Sequence, residues 1–352
     1  MKRAAACLLI MISLAFISGC TERDRMYRES RVLMDTFCTI TVVSASEEKA
    51  REAINRGFAE IERLDGLLNY FSEDSEITAV NRAAGRPVRV SRETLDIVKK
   101  AVHISEITGG AFDPTIAPVV SLWKFSKDIS APSIPSRDAV ATALRHVDYR
   151  KIEINTAASE IYLTEKGMEL DLGGIAKGYA ADRAVEAVKA EGIKAALVAV
   201  AGDIRGFGLN PSGQGWRLGI QDPRPETVSE RPWEDVFATL ELRDRAISTS
   251  GDYQRFFIKD GKRYFHILDP VTGFPAETDL ISVTVIAPEG YVTDSLATAV
   301  FVLGVEKGMK LLESMGIDGV LVCADKKILL TEHLRGKINI LNPAYQAVNY
   351  SP

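Results

Sequence analysis

The chain has 352 residues, 46% of them hydrophobic and 26% charged, with 43 Lys and Arg against 48 Asp and Glu and a formal net charge of −5. This is an ordinary globular composition, enough for one large or two smaller domains. The acidic balance gives no reason to expect nucleic-acid binding, and neither a fixed-period repeat nor a low-complexity tract is present.

The N-terminus reads MKRAAACLLIMISLAFISGC: Lys2 and Arg3, an apolar run from Ala4 to about Ile17, then small residues. This is a secretory signal, since the apolar run is too short to span a bilayer. The ending Ile17-Ser18-Gly19-Cys20 resembles a bacterial lipoprotein cleavage box, which implies a signal over residues 1–19 and a lipid on Cys20. The alternative is a plain secretion signal with an incidental cysteine. A lipid tethers a chain to a membrane without crossing it. Residues 20–31 are then expected as a polar tether and 32–345 as the folded domain. Cys7 leaves with the signal, so Cys38 and Cys323 remain, each in an apolar strand-like run. Two buried thiols are the simple reading; a disulfide between them does not follow from sequence.

Alternation predicts a strand over Val32–Val43. Apolar residues at three- and four-residue steps predict a helix over Ser44–Leu68, with Ser44 and Glu47 as a capping box. Further helices are expected over Ser91–Thr108, stopped by Gly109-Gly110, and over Ser136–Arg145. Lys151–Asn155 and Glu160–Thr164 read as a hairpin, Gly174–Glu191 as a helix and Ala195–Val200 as a buried strand. Short strands follow at Trp216–Ile220, Val236–Leu242, Gln254–Ile258, Arg263–Ile267 and Ile281–Ile286, with Asp260-Gly261 as a hairpin turn. Thr293–Met315 reads as a helix broken at Gly304, and Gly319–Cys323 and Ile328–Thr331 as closing strands. Residues 118–135 and 221–232 are the expected excursions. Strands and helices mix without strict alternation, which favours an α+β fold with largely antiparallel sheets flanked by helices.

Four segments carry chemistry. In DLGGIAKGYAAD (171–182), glycines permit close backbone approach to a phosphate, the following helix start favours an anion, and Lys177 adds a cation. In GGAFDPTIAPVVSLW (109–123), a proline-fixed loop can present Asp113 and main-chain groups to a ligand, with Phe112 against a planar ring; a helix C-cap with a core Phe explains it equally well. STSGDYQRFFIKDGKRYFHILDPVTGFPAE (248–277) combines a hydroxyl-rich turn with His266 between a strand and a turn, although a lone His is more often structural. In VTDSLATAVFVLG (292–304), Asp294 and Thr298 fall on one helix face, which suits Mg²⁺, and simple helix capping is the alternative. CxxC, HExxH, Walker and GxSxG patterns are absent from the sequence.

In this order, with MDTFCTI (34–40), NYFSEDSEI (69–77), the AGDIR turn (201–205) and WRLGIQDPR (216–224), these segments resemble the ApbE family of FAD:protein FMN transferases over nearly the whole mature chain. Asp35 stands where the family usually has glycine, and Ala201 departs from the usual Gly-Gly-Asp turn. The resemblance implies a T-fold-like body that binds FAD and, with Mg²⁺, transfers FMN to a threonine hydroxyl of a partner protein through a phosphoester, releasing AMP. By similarity, Asp294, Thr298 and the Gly174 carbonyl ligate the metal. Met34, Phe71, Ala111, Phe112, Asp113, Asp171, Lys177, His266 and Ile267 contact FAD, and His266 is the general base, its ordinary pKa near 6.5 suiting that task. The implied acceptor is a membrane-bound redox subunit met at the outer, periplasmic side of a bacterial membrane. Two alternatives remain: an FAD pyrophosphatase yielding FMN and AMP, and a non-catalytic flavin-binding lipoprotein.

Overall fold

Residues 25–31, expected in the tether, are instead most of an edge strand. In a computed structural model, which describes residues 23–123, 125, 133–225, 231, 234–348 and 350, β1 (Arg25–Leu33) pairs antiparallel with β2 (Thr36–Ser44). The signal and Cys20 lie outside the described residues, as do 124, 126–132, 226–230 and 232 of the two expected excursions. The single strand expected over Val32–Val43 is broken by a turn at Met34 and Asp35, with φ of 53° and 55°. Glycine adopts that backbone most easily, and an aspartate tolerates it better than most residues.

α1 (Glu47–Leu68) follows, capped by Ser46, whose side chain accepts from Lys49 N–H, rather than by Ser44. Next come α2 (Glu76–Arg82), β3 (Val88–Arg89), α3 (Arg92–Ile107), α4 (Ala117–Trp123), α5 (Arg137–Leu144), β4 (Ile152–Asn155) and β5 (Glu160–Leu163). The central run is α6 (Ala176–Ala190), β6 (Ala195–Val200), β7 (Asp203–Phe207), β8 (Trp216–Gln221), β9 (Val236–Leu242), β10 (Ala246–Gly251), β11 (Phe256–Lys259) and β12 (Lys262–Phe265). β13 (Leu280–Ala287), α7 (Gly290–Met315), β14 (Asp318–Cys323), β15 (Lys327–Leu330), β16 (Ile338–Ile340) and β17 (Gln346–Val348) close the chain. Ser248-Thr249-Ser250-Gly251, expected as a turn, is therefore the end of β10, and part of the 118–135 excursion is α4. Gly304 breaks α7 as expected, at φ 74°.

The nine-stranded sheet runs β1-β2-β6-β7-β10-β13-β14-β15-β17, antiparallel throughout except for β15 with β17. This is the expected α+β architecture. Alternate residues point to opposite faces of each strand, so the sheet has two cores. Ile40 and Val198 pack against Ile54 and Ala184 of α1 and α6, and Val283 and Val285 pack with Leu296 and Phe301 of α7. On the other face, Ile247 and Ile286 meet Trp216 and Phe237 of the β16-β9-β8 sheet. Cys38 and Cys323 are free thiols, each pushed up to about 11 by burial. The β11–β12 hairpin turns at Asp260-Gly261 and rests on an aromatic cluster in which Trp123 donates to Gly273 O at 2.9 Å.

Candidate active site

The crossing of α6 and α7 builds the site. Gly178 and Gly290 meet there without side chains: a Cβ on Gly178 would stand 2.1 Å from Gly290 O. At that contact Gly178 N–H donates to Asp294 Oδ2 at 3.0 Å. One turn along α6, Asp182 accepts from the Gly290 and Tyr291 amides at 2.7 and 3.1 Å and so caps α7, whose own N-cap residue Glu289 makes no side-chain bond. Burial pushes Asp182 up to about 6. Asp294, expected at the helix start, thus sits just past the capped first turn with a fixed carboxylate.

Lys177 lies between two acids, with Nζ 2.7 Å from Asp203 Oδ2 and 3.5 Å from Asp294 Oδ1. Burial works against its charge, but the two carboxylates more than offset this and hold its pKa above the lysine range. Burial and the neighbouring Asp203 raise Asp294. The sequence assigned Lys177 to phosphate; the structure ties it to carboxylates. The opening amides of α6 are also partly engaged, Ala176 N with Leu172 O and Gly178 N with Asp294.

Thr298 follows Asp294 by one turn and shares a hydrogen bond with Ser250 Oγ at 3.1 Å. Two residues back on β10, Ser248 bonds Thr293 at 2.8 Å. The strand therefore docks on α7 through hydroxyls, which is why STSG lacks the apolar signature of a buried strand. Gly174 faces the same place, since a Cβ there would lie 3.1 Å from Phe112 Cε2 and 3.9 Å from Thr298 Oγ1. A carboxylate, a hydroxyl and a nearby carbonyl are hard oxygen donors suited to Mg²⁺, and burial and Asp203 raise Asp294 even against the pull of Lys177, so a further cation there would favour its charged form. The residues fit that ion. Among the described residues no cluster of three His, Cys, Asp or Glu side chains has metal-binding geometry, so the set depends on hydroxyl, carbonyl and phosphate oxygens.

The two loop motifs are joined directly: Asp171 N–H donates to Pro114 O at 2.8 Å, and Gly173 N–H donates to Asp171 Oδ1 at 2.8 Å. Desolvation raises Asp171, while Arg255 and Lys177 act in the opposite sense. His266 donates its backbone N–H to Arg255 O at 3.1 Å, and its Nδ1 is enclosed without a hydrogen-bond partner. Burial, with Arg255 and Lys177 nearby, pushes the imidazole down to about 4, against an expected value near 6.5. Asp171, Lys177, Arg255 and His266 thus share one electrostatic neighbourhood.

Other expected contacts lie around this centre. Phe112 is buried with its ring on Gly174, and half-buried Ala111 packs beside it. Asp113 is buried, with its carboxylate accepting from Thr115 N and Oγ1 and from Tyr149 N, so it holds its own loop. Met34 sits in the β1–β2 turn with its N–H on Asp65 Oδ2 at 3.0 Å. Phe71 is 80% exposed, edge-on to Tyr70, whose hydroxyl donates to Glu169 at 2.5 Å. Ile267 is buried in the main core, and its carbonyl accepts from Ala276 N–H. Sequence reading missed Asp203, Ser250 and Arg255 as site residues, although each lies inside a quoted motif.

The ApbE family profile matches residues 34–321. A protein of Treponema pallidum (strain Nichols) named FAD:protein FMN transferase is 35% identical over 345 residues, covering 93% of this chain and 92% of its own. One of the same name from Klebsiella pneumoniae (strain 342) is 32% identical, covering 93% and 98%. Of solved structures, the ApbE protein of Thermotoga maritima superposes with a TM-score of 0.80 at 32% identity, covering 89% of this chain and 99% of that one. The apo flavinyl transferase ApbE of Pseudomonas stutzeri gives 0.78 at 29%, covering 90% and 97%. On sequence, fold and the collinear order of its motifs, the chain belongs to the ApbE family.

Proposed function

We propose that this chain is a flavin transferase that moves the FMN half of FAD onto a threonine hydroxyl of a protein acceptor and releases AMP. The observation that carries the reading is the fixed Asp294–Thr298 pair, facing the Gly174 loop, in one neighbourhood with Lys177, Arg255 and His266. In the reaction the hydroxyl oxygen bonds the FMN phosphorus, the P–O–P bridge breaks, and the bridging oxygen departs on AMP. His266 takes the hydroxyl proton; it is uncharged at neutral pH and free to accept. Its depressed pKa makes it a weak base in the ligand-free protein, and the negative charge of a bound pyrophosphate raises it toward the working range. Arg255 meets phosphate charge. Lys177 holds the Asp294 carboxylate in place. Asp294, Thr298 and the Gly174 carbonyl would hold Mg²⁺, which when bound neutralises pyrophosphate charge and polarises the phosphorus.

The lipobox-like ISGC sequence supports attachment through Cys20 to a bacterial membrane, facing the periplasm, with the acceptor a membrane-held redox subunit. The test is AMP release from FAD with acceptor present. It should stop on chelation, return with Mg²⁺, and fall in Asp294→Asn and Thr298→Val. AMP release that ignores the acceptor would identify a pyrophosphatase instead, and FAD binding without any AMP a carrier.

A further inference from the structure

The outer face of the β1–β2 hairpin is open at its turn end; at the other end Val43, across from Met26, is buried in the core beneath the β16-β9-β8 sheet. On one side of β1, Tyr27 and Leu33 pack toward α1. The other side carries Met26, Arg28 and Val32, and Val32 stands directly across from Phe37 of β2. Met26 is 59% exposed, Val32 67% and Phe37 73%. Val32 and Phe37 are an adjacent, exposed apolar pair beside the turn, with Met26 on the same side beyond Arg28 and Ser30, and so open an apolar pair marks an interaction surface.

Two features indicate what covers it. Cys20 precedes β1 by five residues, which reach about 17 Å when fully extended, so a lipid there holds the Arg25 end of β1 at a bilayer. The face also has the chemistry of an interfacial surface. Met26, Val32 and Phe37 suit the acyl boundary, while Arg28 between them suits lipid phosphates; Arg25 points to the opposite side with Tyr27. Glu29 points to the opposite side and pairs with Arg31 at 3.4 Å.

We propose that the outer face of the β1–β2 hairpin lies on an anionic phospholipid surface, laid flat by the lipid at its N-terminal end. The proposal rests on the lipid-anchor reading given above. It has a consequence for the site. Phe37 O accepts from Ala201 N–H at 3.0 Å, and Asp203 follows two residues later on Lys177. The hairpin on the bilayer therefore adjoins the turn leading to Asp203, whose side chain lies with Val198 and Val200 on the helix-bearing face of the sheet, so the site sits beside the lipid-facing surface rather than on it.

The test uses the full chain carrying Phe37→Trp, purified from membranes and returned to phosphatidylcholine vesicles containing phosphatidylglycerol. The parent chain already carries Trp123, Trp216 and Trp233, so variant and parent are each measured with and without vesicles and their difference reports the indole introduced on the hairpin. The expected result is that the protein floats with the vesicles, that emission from the introduced indole shifts to the blue, and that lipids brominated on their acyl chains quench it. Adding Val32→Glu and Met26→Glu should reverse the shift while flotation persists. Flotation with the introduced indole open to aqueous iodide overturns the proposal and leaves the anchor standing. An indole that becomes shielded only when an acceptor protein is added overturns it in favour of a protein surface. Failure to float overturns the anchor reading and this proposal together.

Discussion

With its Nδ1 enclosed and unpartnered, His266 should remain uncharged in the ligand-free protein down to about pH 4. Its unfolded value is near 6.5, so between those limits the unfolded chain binds more protons. His266 therefore lowers stability progressively as pH falls from about 6.5 to about 4. NMR titration of the imidazole checks this, and a midpoint near 6.5 contradicts it. His266→Ala should slow transfer by ~10²–10⁴-fold with FAD affinity largely kept, read from acceptor labelling and a binding titration. Lys177 makes a second residue-level case. Removing it leaves Asp203 and Asp294 facing each other without a cation, and its side chain keeps 30% exposure, which moderates the cost. Lys177→Met should destabilise by about 2–4 kcal/mol in urea unfolding, and adding Asp203→Asn should recover part of that. The types of these residues were legible in the sequence; their partners were not. Lys177 reads as a phosphate ligand until the fold brings Asp203 from 26 positions away. Asp113 reads as a ligand contact, and the sequence does not show that Thr115 and Tyr149 hold its carboxylate.

Among the elements, α6 and α7 place the chemistry, and their contact is made by two glycines. Gly178→Ala inserts a methyl 2.1 Å from Gly290 O and against backbone that cannot turn aside. The helices must separate, which moves the Asp294 carboxylate off the Gly178 amide. The variant should lose about 3 kcal/mol in urea unfolding and fall in transfer rate as well. Stability close to the parent would show that the crossing tolerates a side chain. Long amphipathic elements were readable because their apolar spacing has one explanation: α1, α3 and the Gly304 break in α7 sit where the pattern puts them. β1 was not readable, since as an edge strand with one open face it is rich in Arg, Glu and Ser. β10 was hidden for a different reason. It is a central strand whose hydroxyls bond Thr293, Thr284 and Thr298, so buried polarity replaces the apolar run that marks most inner strands.

At the scale of the whole molecule, a largely antiparallel sheet holds helices on one face and a smaller sheet on the other. The site forms where the ends of β2, β6, β7 and β10 meet the α6–α7 pair. The fold class followed from unalternated strands and helices, but the strand order did not, because long-range pairings such as β10 between β7 and β13 leave no local trace. Group transfer leaves its most specific trace on the acceptor, where mass spectrometry reads it. The lipidated protein, FAD, Mg²⁺ and a candidate membrane redox subunit are incubated, and the subunit is digested. The expected result is FMN linked by a phosphoester to one threonine, with AMP released in equal amount, and no adduct with Asp294→Asn. AMP and free FMN without any labelled threonine would contradict it.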